Sequence, residues 1–406
     1  MTFNILDKTN RKNLITLAVA KFLHGFGTGM FTIVYQPFLL DITNSIVLTG
    51  LIISIGSIIQ FLPMPIMGKF SDKFNRKYFL ISSIPLYIIG LLLLIIASPS
   101  SLYYVILGII LYFLGFIINN LNTQFLVSEN SNESKGLIFG FMFFSFFGGT
   151  ITGTFFIITS QIISSRFYFM FFIILLVIEG IIFTFFISSK SIDSKNQTFT
   201  RTKFKIEKEN MWLKVLKEKN LRIILLFFTL DIFVYSISLS IYTGGLYDFY
   251  NMSKEDIAII TLWFNIGNMF FQIPAGRVTD KIGNKANLIL SQFFGFGFFL
   301  MNIFTVILWM NQIRQTILIT LSIGYVLLAL SVCTFIPAEQ IIMTNLGENQ
   351  KAESYGIIQF FRGLGLIPTG IIGGLIVEYI HYITPFIFSI IGIIIELLFL
   401  LKFFHD

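Results

Sequence analysis

The chain is poor in the residues that build disulfides, metal sites and catalytic centres. Its 406 residues include one cysteine, Cys333, and three histidines. A single thiol excludes an internal disulfide framework, and His24, His381 and His405 are too scattered to suggest a metal site. The sequence also lacks a phosphate-binding loop and a catalytic triad. It therefore predicts neither an ATPase nor any other enzyme, and it calls for no cofactor.

Charged residues are scarce as well, at 12% of the chain, whereas hydrophobic residues make up 55%. Soluble globular proteins do not have this composition, so we expect an integral membrane protein. A helix needs about 20 apolar residues to cross a bilayer. Twelve stretches qualify: 13–38, 46–68, 78–97, 102–126, 136–160, 165–188, 221–246, 256–276, 287–310, 315–340, 353–377 and 381–404.

The basic residues are distributed unequally between the two sides of these stretches. If residue 1 is cytoplasmic, most of the 28 Lys and Arg residues fall inside, and only Arg166, Lys254 and Arg314 fall outside. The positive-inside rule then predicts a multi-pass protein of the cell membrane with both termini in the cytoplasm. The net charge of +7 follows from this topology and from anionic lipid, so no nucleic-acid partner is indicated.

A short charged segment occurs twice in the chain. The sequence GKFSDKFNRK at residues 68–77 returns as GRVTDKIGNK at residues 276–285, 208 positions later. Both copies lie between long apolar stretches, which indicates a duplicated half. We therefore predict an all-α membrane protein with twelve transmembrane helices in two pseudo-symmetric six-helix bundles. The bundles comprise residues 1–188 and 221–406, and a cytoplasmic linker at 189–220 joins them.

The repeated segment resembles the loop G-x-x-x-D-(R/K)-x-G-(R/K)-(R/K) of the major facilitator superfamily, and the resemblance extends over essentially the whole chain. Asn75 and Asn284 depart from that pattern. The resemblance implies a twelve-helix secondary transporter whose two loops hold the cytoplasmic side closed when the cavity faces outward. The alternative is that these residues only enforce topology. The matching residues are Gly68, Asp72, Lys73, Arg76 and Lys77, and then Gly276, Asp280, Lys281, Gly283 and Lys285.

Glycines in the fifth and eleventh stretches form a second, partial match. Gly140, Gly149 and Gly153 resemble the glycine motif of helix 5 in the antiporters of the family, although Thr154 stands where that motif has proline. Gly356 and Gly365 follow a related arrangement in the eleventh stretch. The resemblance implies efflux by antiport, whereas small residues at this spacing also serve simple helix packing.

Three ionisable residues within the apolar stretches are candidates for energy coupling, because charge inside a bilayer is costly. His24 and Asp231 are 207 residues apart and so occupy equivalent positions on helices 1 and 7, which line the central cavity in the family fold. Asp231 and Arg362 lie at similar depth, so we expect them to pair, either for proton coupling or as a structural salt bridge. Glu179 and Glu396 are also related by the repeat, and we expect them to pack at a bundle seam.

The predicted function is secondary active transport of a small organic solute, by proton-coupled efflux from a monomer. Proton-coupled or facilitated uptake of a nutrient remains an alternative, and a membrane sensor that binds solute without moving it is a third possibility. A sensor would bind solute without accumulating it. Polar residues on the expected cavity helices are candidates for solute contact: Gln36, Asn119, Asn120, Gln124, Asn265, Asn268, Gln272 and Gln340.

Overall fold

The computed structural model describes residues 8–73, 75–130, 135–160, 164–188, 219–313, 316–346 and 351–404. Across these ranges all regular structure is helical, which confirms the predicted all-α fold. Helices are the expected solution, because apolar segments in lipid must satisfy every backbone polar group internally. Nearly all of the predicted linker lies outside the described residues, and so do the side chains of Asp72, Lys73, Asp280 and Gln340.

Seven helices form the described residues of the first part of the chain, which we call the N-half. Pro63 lies at the break between the second and third helices, where its missing N–H interrupts the helical hydrogen bonds. Ser45 caps the second helix by accepting a hydrogen bond from the Leu48 N–H. The N-half contains α1 (Lys8–Thr43), α2 (Ile46–Phe61), α3 (Met64–Lys73), α4 (Arg76–Ile96), α5 (Leu102–Asn130), α6 (Lys135–Ser160) and α7 (Ser165–Phe186).

Among the described residues, eight helices form the C-half, which has two breaks, one at residues 240–241 and the other at residues 367–368. Ser253 and Asp256 form a capping box at the start of the third of these helices. The C-half contains α8 (Lys219–Leu239), α9 (Tyr242–Phe249), α10 (Lys254–Ile282), α11 (Asn284–Met310), α12 (Ile317–Leu346), α13 (Lys351–Leu366), α14 (Thr369–Tyr379) and α15 (Thr384–Phe403).

The helices match the predicted spans. Among the described residues, 11 helical segments are long and apolar enough to cross a membrane, and in this count α2 with α3, α8 with α9 and α13 with α14 each form one span. The remaining predicted span, 256–276, lies on α10, which is 29 residues long. Two spans precede the loop between α3 and α4, and eight precede the loop between α10 and α11, so both loops fall on one side of a membrane, which we call the motif face.

The two halves repeat one packing scheme. In the N-half α1 packs against α6, and α4 packs against α5 and α7; in the C-half α8 packs against α13, and α11 packs against α12 and α15. Gly149 and Gly153 on α6 lie directly against the backbone of Phe22 and Phe26 on α1, where a Cβ would overlap a carbonyl oxygen. Gly365 on α13 lies in the same way against Thr229 on α8. These glycines bring paired helices into close contact.

The halves meet mainly along six helix contacts among the described residues: α2 with α14 and with α13, α3 with α13, α6 with α10, and α1 with α9 and with α10. The closest approach joins α2 to α14, where a Cβ on Gly50 or on Gly370 would overlap the carbonyl oxygen of the other residue. Gly356 on α13 lies close to Met64 and Pro65 on the N-half side. Any solute site shared by the halves must therefore lie between these contacts.

Candidate functional site

Each motif loop ends in a lysine that donates to a backbone carbonyl oxygen. Lys77 Nζ donates a hydrogen bond to the Thr184 carbonyl at the end of α7, at 2.9 Å. Its repeat equivalent Lys285 contacts the equivalent Leu401 carbonyl at 3.4 Å and the Phe404 carbonyl at 2.7 Å, at the end of α15. A cation at a helix C-terminus is favourable because the last carbonyls carry partial negative charge. Each motif loop is thus tied to the last helix of its own half.

The backbone conformation differs between the two motif loops. Asn75 does not adopt the left-handed conformation; its φ is −69°, and its side chain caps α4 by accepting from the Lys77 N–H. The equivalent Gly283 has φ 84°, a conformation that favours glycine. Gly276 does not permit a close helix approach, since a Cβ there would meet nothing within 4 Å. The Arg76 guanidinium lies over the Phe125 ring at 4.8 Å.

A buried polar network surrounds His24 inside the N-half. His24 Nδ1 is 3.1 Å from Glu179 Oε2, and His24 Nε2 is 3.2 Å from the Tyr87 hydroxyl. Asn119 Nδ2 donates to Glu179 Oε1 at 3.1 Å. The His24 and Glu179 side chains are only 4% and 2% exposed. These contacts join α1, α4, α5 and α7, so His24 faces the interior of its own bundle and not the central cavity, contrary to the prediction.

Asp231 forms a corresponding network in the C-half. Its Oδ1 accepts a hydrogen bond from Gln292 Nε2 at 2.8 Å. The Tyr235 hydroxyl donates to Gln292 Oε1 at 3.2 Å and lies 3.2 Å from Ser331 Oγ. Gly295, the repeat equivalent of Tyr87, has no side chain, and the Tyr235 hydroxyl fills that space. A tyrosine hydroxyl is therefore present in both networks, but it comes from a different helix in each.

Arg362 does not pair directly with Asp231, contrary to the prediction. Its guanidinium forms an ion pair with Glu339 on α12, a residue that the sequence analysis did not single out. Arg362 and Glu339 still act on Asp231 electrostatically. Glu396, the repeat equivalent of Glu179, is 1% exposed, and neither of its carboxylate oxygens has a hydrogen-bond partner among the described residues. It interacts electrostatically with Asp231.

Hydrogen bonds between the halves cluster toward the face opposite the motif loops. Gln36 Nε2 donates to the Ser240 carbonyl, and Gln36 Oε1 accepts from the Gly244 N–H, both at 2.8 Å. This carboxamide thus spans the break between α8 and α9. Near the same face, the Tyr247 hydroxyl donates to Asp41 at 3.0 Å. Glu378 on α14 accepts a hydrogen bond from the Ser45 hydroxyl and another from the Val47 N–H on α2, both at 3.2 Å.

Two cavities lie on either side of this hydrogen-bonded layer. The outer cavity, of about 600 Å³, lies at the opposite face and includes Asp41, Asp248, Glu378 and His381 in its lining. The inner cavity, of about 300 Å³, lies between the halves, and each half supplies six of its lining residues. Those residues are Thr28, Gly29, Thr32, Phe146, Phe147 and Thr150 from the N-half, and Thr243, Thr261, Phe264, Asn265, Tyr325 and Leu328 from the C-half.

Only one of the described polar residues predicted for solute contact lines the inner cavity. Asn265 lines it, and its Nδ2 donates to the Thr154 hydroxyl across the interface between the halves at 3.3 Å. The other predicted residues are placed elsewhere. Gln36 bridges the halves, Asn119 joins the Glu179 network, and Asn268 Nδ2 donates to the Phe264 carbonyl. Gln272 Oε1 is buried and has no hydrogen-bond partner in the part of the chain that the structure describes, while Asn120 and Gln124 do not belong to the cavity lining.

A family model described as Major Facilitator Superfamily matches residues 17–249 and 232–406, and so covers both repeats. The chain belongs to the major facilitator superfamily. Among solved structures, a point mutant of the nucleoside transporter NupG is similar, with a TM-score of 0.75 and 14% identity, over 97% of this chain and 100% of that one. At this identity the likeness shows the fold. No curated protein sequence matches the chain significantly.

Several residues that line the inner cavity or contact the buried charges give no signal in the sequence. Gln292 and Glu339 carry no repeat signal, although both lie within predicted spans. Thr28 and Thr243 are common residues of apolar helices and do not stand out in one sequence. The contact between His24 and Glu179 could have been predicted, because each residue has an ionisable equivalent in the other repeat.

Proposed function

We propose that this member of the superfamily carries a small organic solute across the cell membrane by alternating access. The observation that supports the proposal is the inner cavity, which both halves line equally and which hydrogen bonds between the halves cover on one side. A site at the interface of two repeats is the arrangement that rocking of one bundle against the other exposes to each membrane face in turn. The protein acts as a monomer in this proposal.

The moving units in this mechanism are the bundles at residues 1–188 and 221–406, which the cytoplasmic linker joins. The motif face is then cytoplasmic, and the described conformation is closed toward the outside. Opening to the outside breaks the contacts of Gln36, Asp41 and Glu378, while the motif loops with Asp72 and Asp280 come together on the cytoplasmic side. The Lys77 and Lys285 contacts lie within one half each, so they support the loops in both states.

A proton gradient drives transport in this proposal, with Asp231 as the residue that exchanges the proton. Asp231 lies in a buried set that contains an ion pair and a second acid, Glu396, that has no partner among the described residues. Two nearby carboxylates in an apolar interior cannot both be charged without a large cost in free energy. This set therefore holds a proton more readily than a pair of oppositely charged side chains does. Arg362 sets the charge balance, and His24 takes no direct part.

Efflux by exchange with protons is the direction we propose. The packing of Gly149 and Gly153 against α1 and the uncharged lining of the inner cavity support the transport of an amphipathic compound. Proton-coupled or facilitated uptake is the second candidate, because the similar structure is that of a nucleoside transporter. A sensor that binds solute without moving it is the third.

Flux measurements in proteoliposomes separate these candidates. Purified protein is reconstituted with an imposed pH gradient, and the movement of radiolabelled solutes is followed in vesicles acidified on either side. Exchange predicts that solute accumulates on the acidic side, whereas proton-coupled uptake by symport predicts accumulation on the alkaline side. Equilibration of solute without accumulation would indicate facilitated uptake, whereas binding without any flux would leave the sensor and contradict transport.

A further inference from the structure

The inner cavity has a chemical character that narrows the class of solute. None of its lining residues is charged, although Asp231, Glu179 and Glu396 lie buried within the two bundles. A charged solute in this site would lose its hydration without meeting an opposite charge, which is costly in an apolar interior. The lining therefore disfavours both cations and anions.

Five threonines line the cavity, and their hydroxyls fall into two groups. Those of Thr32, Thr150 and Thr261 donate to carbonyl oxygens of their own helices, as threonine in a helix commonly does. The Thr28 and Thr243 hydroxyls are buried and have no hydrogen-bond partner among the described residues. Buried polar groups nearly always have a hydrogen-bond partner. Two unpaired hydroxyls in one cavity therefore point to a ligand that supplies the partner.

The two unpaired hydroxyls come from opposite halves. Thr28 lies on α1, and Thr243 lies in the first turn of α9, just beyond the break that Gln36 spans. A solute that bonds both hydroxyls bridges the two halves and favours the conformation in which they are close. Asn265 adds a third polar group, since its Nδ2 already donates to Thr154 and its Oδ1 accepts no bond among the described contacts.

Aromatic rings form much of the remaining lining. Phe264 and Tyr325 come from the C-half, and their ring centroids are 5.8 Å apart at nearly right angles. Phe146 and Phe147 come from the N-half, with centroids 5.6 Å apart. Such rings favour a flat or apolar body between them. The volume of about 300 Å³ is at the lower end of the range for small-molecule sites, so the solute is compact.

We propose that the transported solute is uncharged, has a compact ring as its body and carries hydrogen-bonding groups that reach Thr28 and Thr243 from within the inner cavity. This inference rests on the proposed transport function and specifies its substrate class. It excludes organic cations and anions as solutes of this cavity.

Binding to purified protein tests the proposal directly. Uridine, adenosine and phenyl glucoside serve as uncharged ring probes, each beside an analogue of similar size that carries a phosphate or an amine. Uncharged probes should bind, and their charged analogues should bind at least tenfold more weakly. Thr28→Val and Thr243→Val should each weaken the binding of the best probe by about tenfold, the effect of one lost hydrogen bond.

Matched variants keep the test informative if a valine variant folds poorly. Thr28→Ser and Thr243→Ser retain the hydroxyl and should bind within about twofold of the wild type. Thr320→Val alters a threonine outside the cavity lining, whose hydroxyl already donates to the Thr316 carbonyl, and it should have as little effect. Equal binding of a charged analogue, unchanged binding by both valine variants, or no binding of any uncharged probe would overturn the inference.

The outcome separates this inference from the proposed function. Uncharged probes that bind through Thr28 and Thr243 but produce no flux in proteoliposomes would contradict transport and leave the solute class intact. A charged solute that the protein transports, with no effect of the valine variants, would contradict the solute class and leave transport intact.

Discussion

The two halves place ionisable residues at equivalent positions but give them different partners. In the N-half, His24 and Glu179 form a buried pair at 3.1 Å, and Asn119 and Tyr87 complete it. In the C-half the equivalent residues are Asp231 and Glu396, which are both acids and cannot form such a pair. The repeat has therefore preserved where the ionisable groups lie, and it has not preserved how their charges balance.

This difference assigns separate roles to the two networks. A buried pair with complete hydrogen bonding holds its helices together, and removal of one member leaves an uncompensated charge. The C-half set contains three acids, Asp231, Glu396 and Glu339, beside one base, Arg362, so a bound proton reduces its net negative charge. We thus expect the N-half to be the rigid partner and the C-half to be the half that responds to pH.

The largest expected effect is that of Asp231→Asn. The amide cannot ionise, but it can still accept the hydrogen bond from Gln292, so the fold should survive. We expect loss of transport driven by a pH gradient, with solute binding and downhill exchange retained. Flux in proteoliposomes with and without a pH gradient measures both properties.

Glu396→Gln is the matched variant for this comparison, because it removes the second acid of the same set. It should shift the pH dependence of transport without abolishing it. If Asp231→Asn still concentrates solute with the pH dependence of the wild type, then the C-half set is structural and the proposed contrast between the halves fails.

The second prediction compares stability across the repeat. Glu179→Gln removes the charge that pairs with His24, and we expect a loss of about 3 kcal/mol in the free energy of unfolding. Glu396→Gln breaks no hydrogen bond among the described residues, so its cost should stay below about 1 kcal/mol. Thermal unfolding of both variants in detergent measures the difference. Equal destabilisation would show that the two acids are held equivalently.

The third prediction concerns the bond between the halves at Gln36. Gln36→Ala removes two hydrogen bonds to the α8–α9 break and should favour opening at the face opposite the motif loops by about 1–2 kcal/mol. Distances between spin labels on α2 and α14 at that face should increase. Gln124→Ala removes the same side chain from α5 and should leave these distances unchanged. No widening in Gln36→Ala would mean that apolar packing alone closes this face.

The smallest expected effects lie in the motif loops. Asp72→Asn and Asp280→Asn remove a charge near the membrane surface, where single ion pairs contribute about 1 kcal/mol or less. Each should leave insertion intact and shift the resting ensemble toward the inward-facing state, with wider distances across the cytoplasmic ends. Comparison of the two variants tests whether the two motif loops contribute equally to closure of the cytoplasmic side. Unchanged distances together with normal transport would make these aspartates topology residues.

Much of the fold follows from the sequence because its signals are local or repeated. Apolar stretches of helical length predict the spans, and the two motif segments predict the duplication. The equivalence of His24 with Asp231, and that of Glu179 with Glu396, also follows from the repeat. The mistaken pairing of Asp231 with Arg362 has a physical cause, since similar depth on two helices does not determine which side of each helix faces the other.

The sequence by itself determined the number of spans, the repeat, the motif loops and the membership of the superfamily, because these depend on residue order and hydrophobicity alone. Tertiary structure decided the partners: Glu339 for Arg362, Glu179 for His24, and the α8–α9 break for Gln36. It also decided that Thr28 and Thr243 line one cavity, where their hydroxyls have no hydrogen-bond partner among the described residues. The physical reason is that helix rotation and crossing set which side chains converge, and these depend on packing between residues that are distant in the chain.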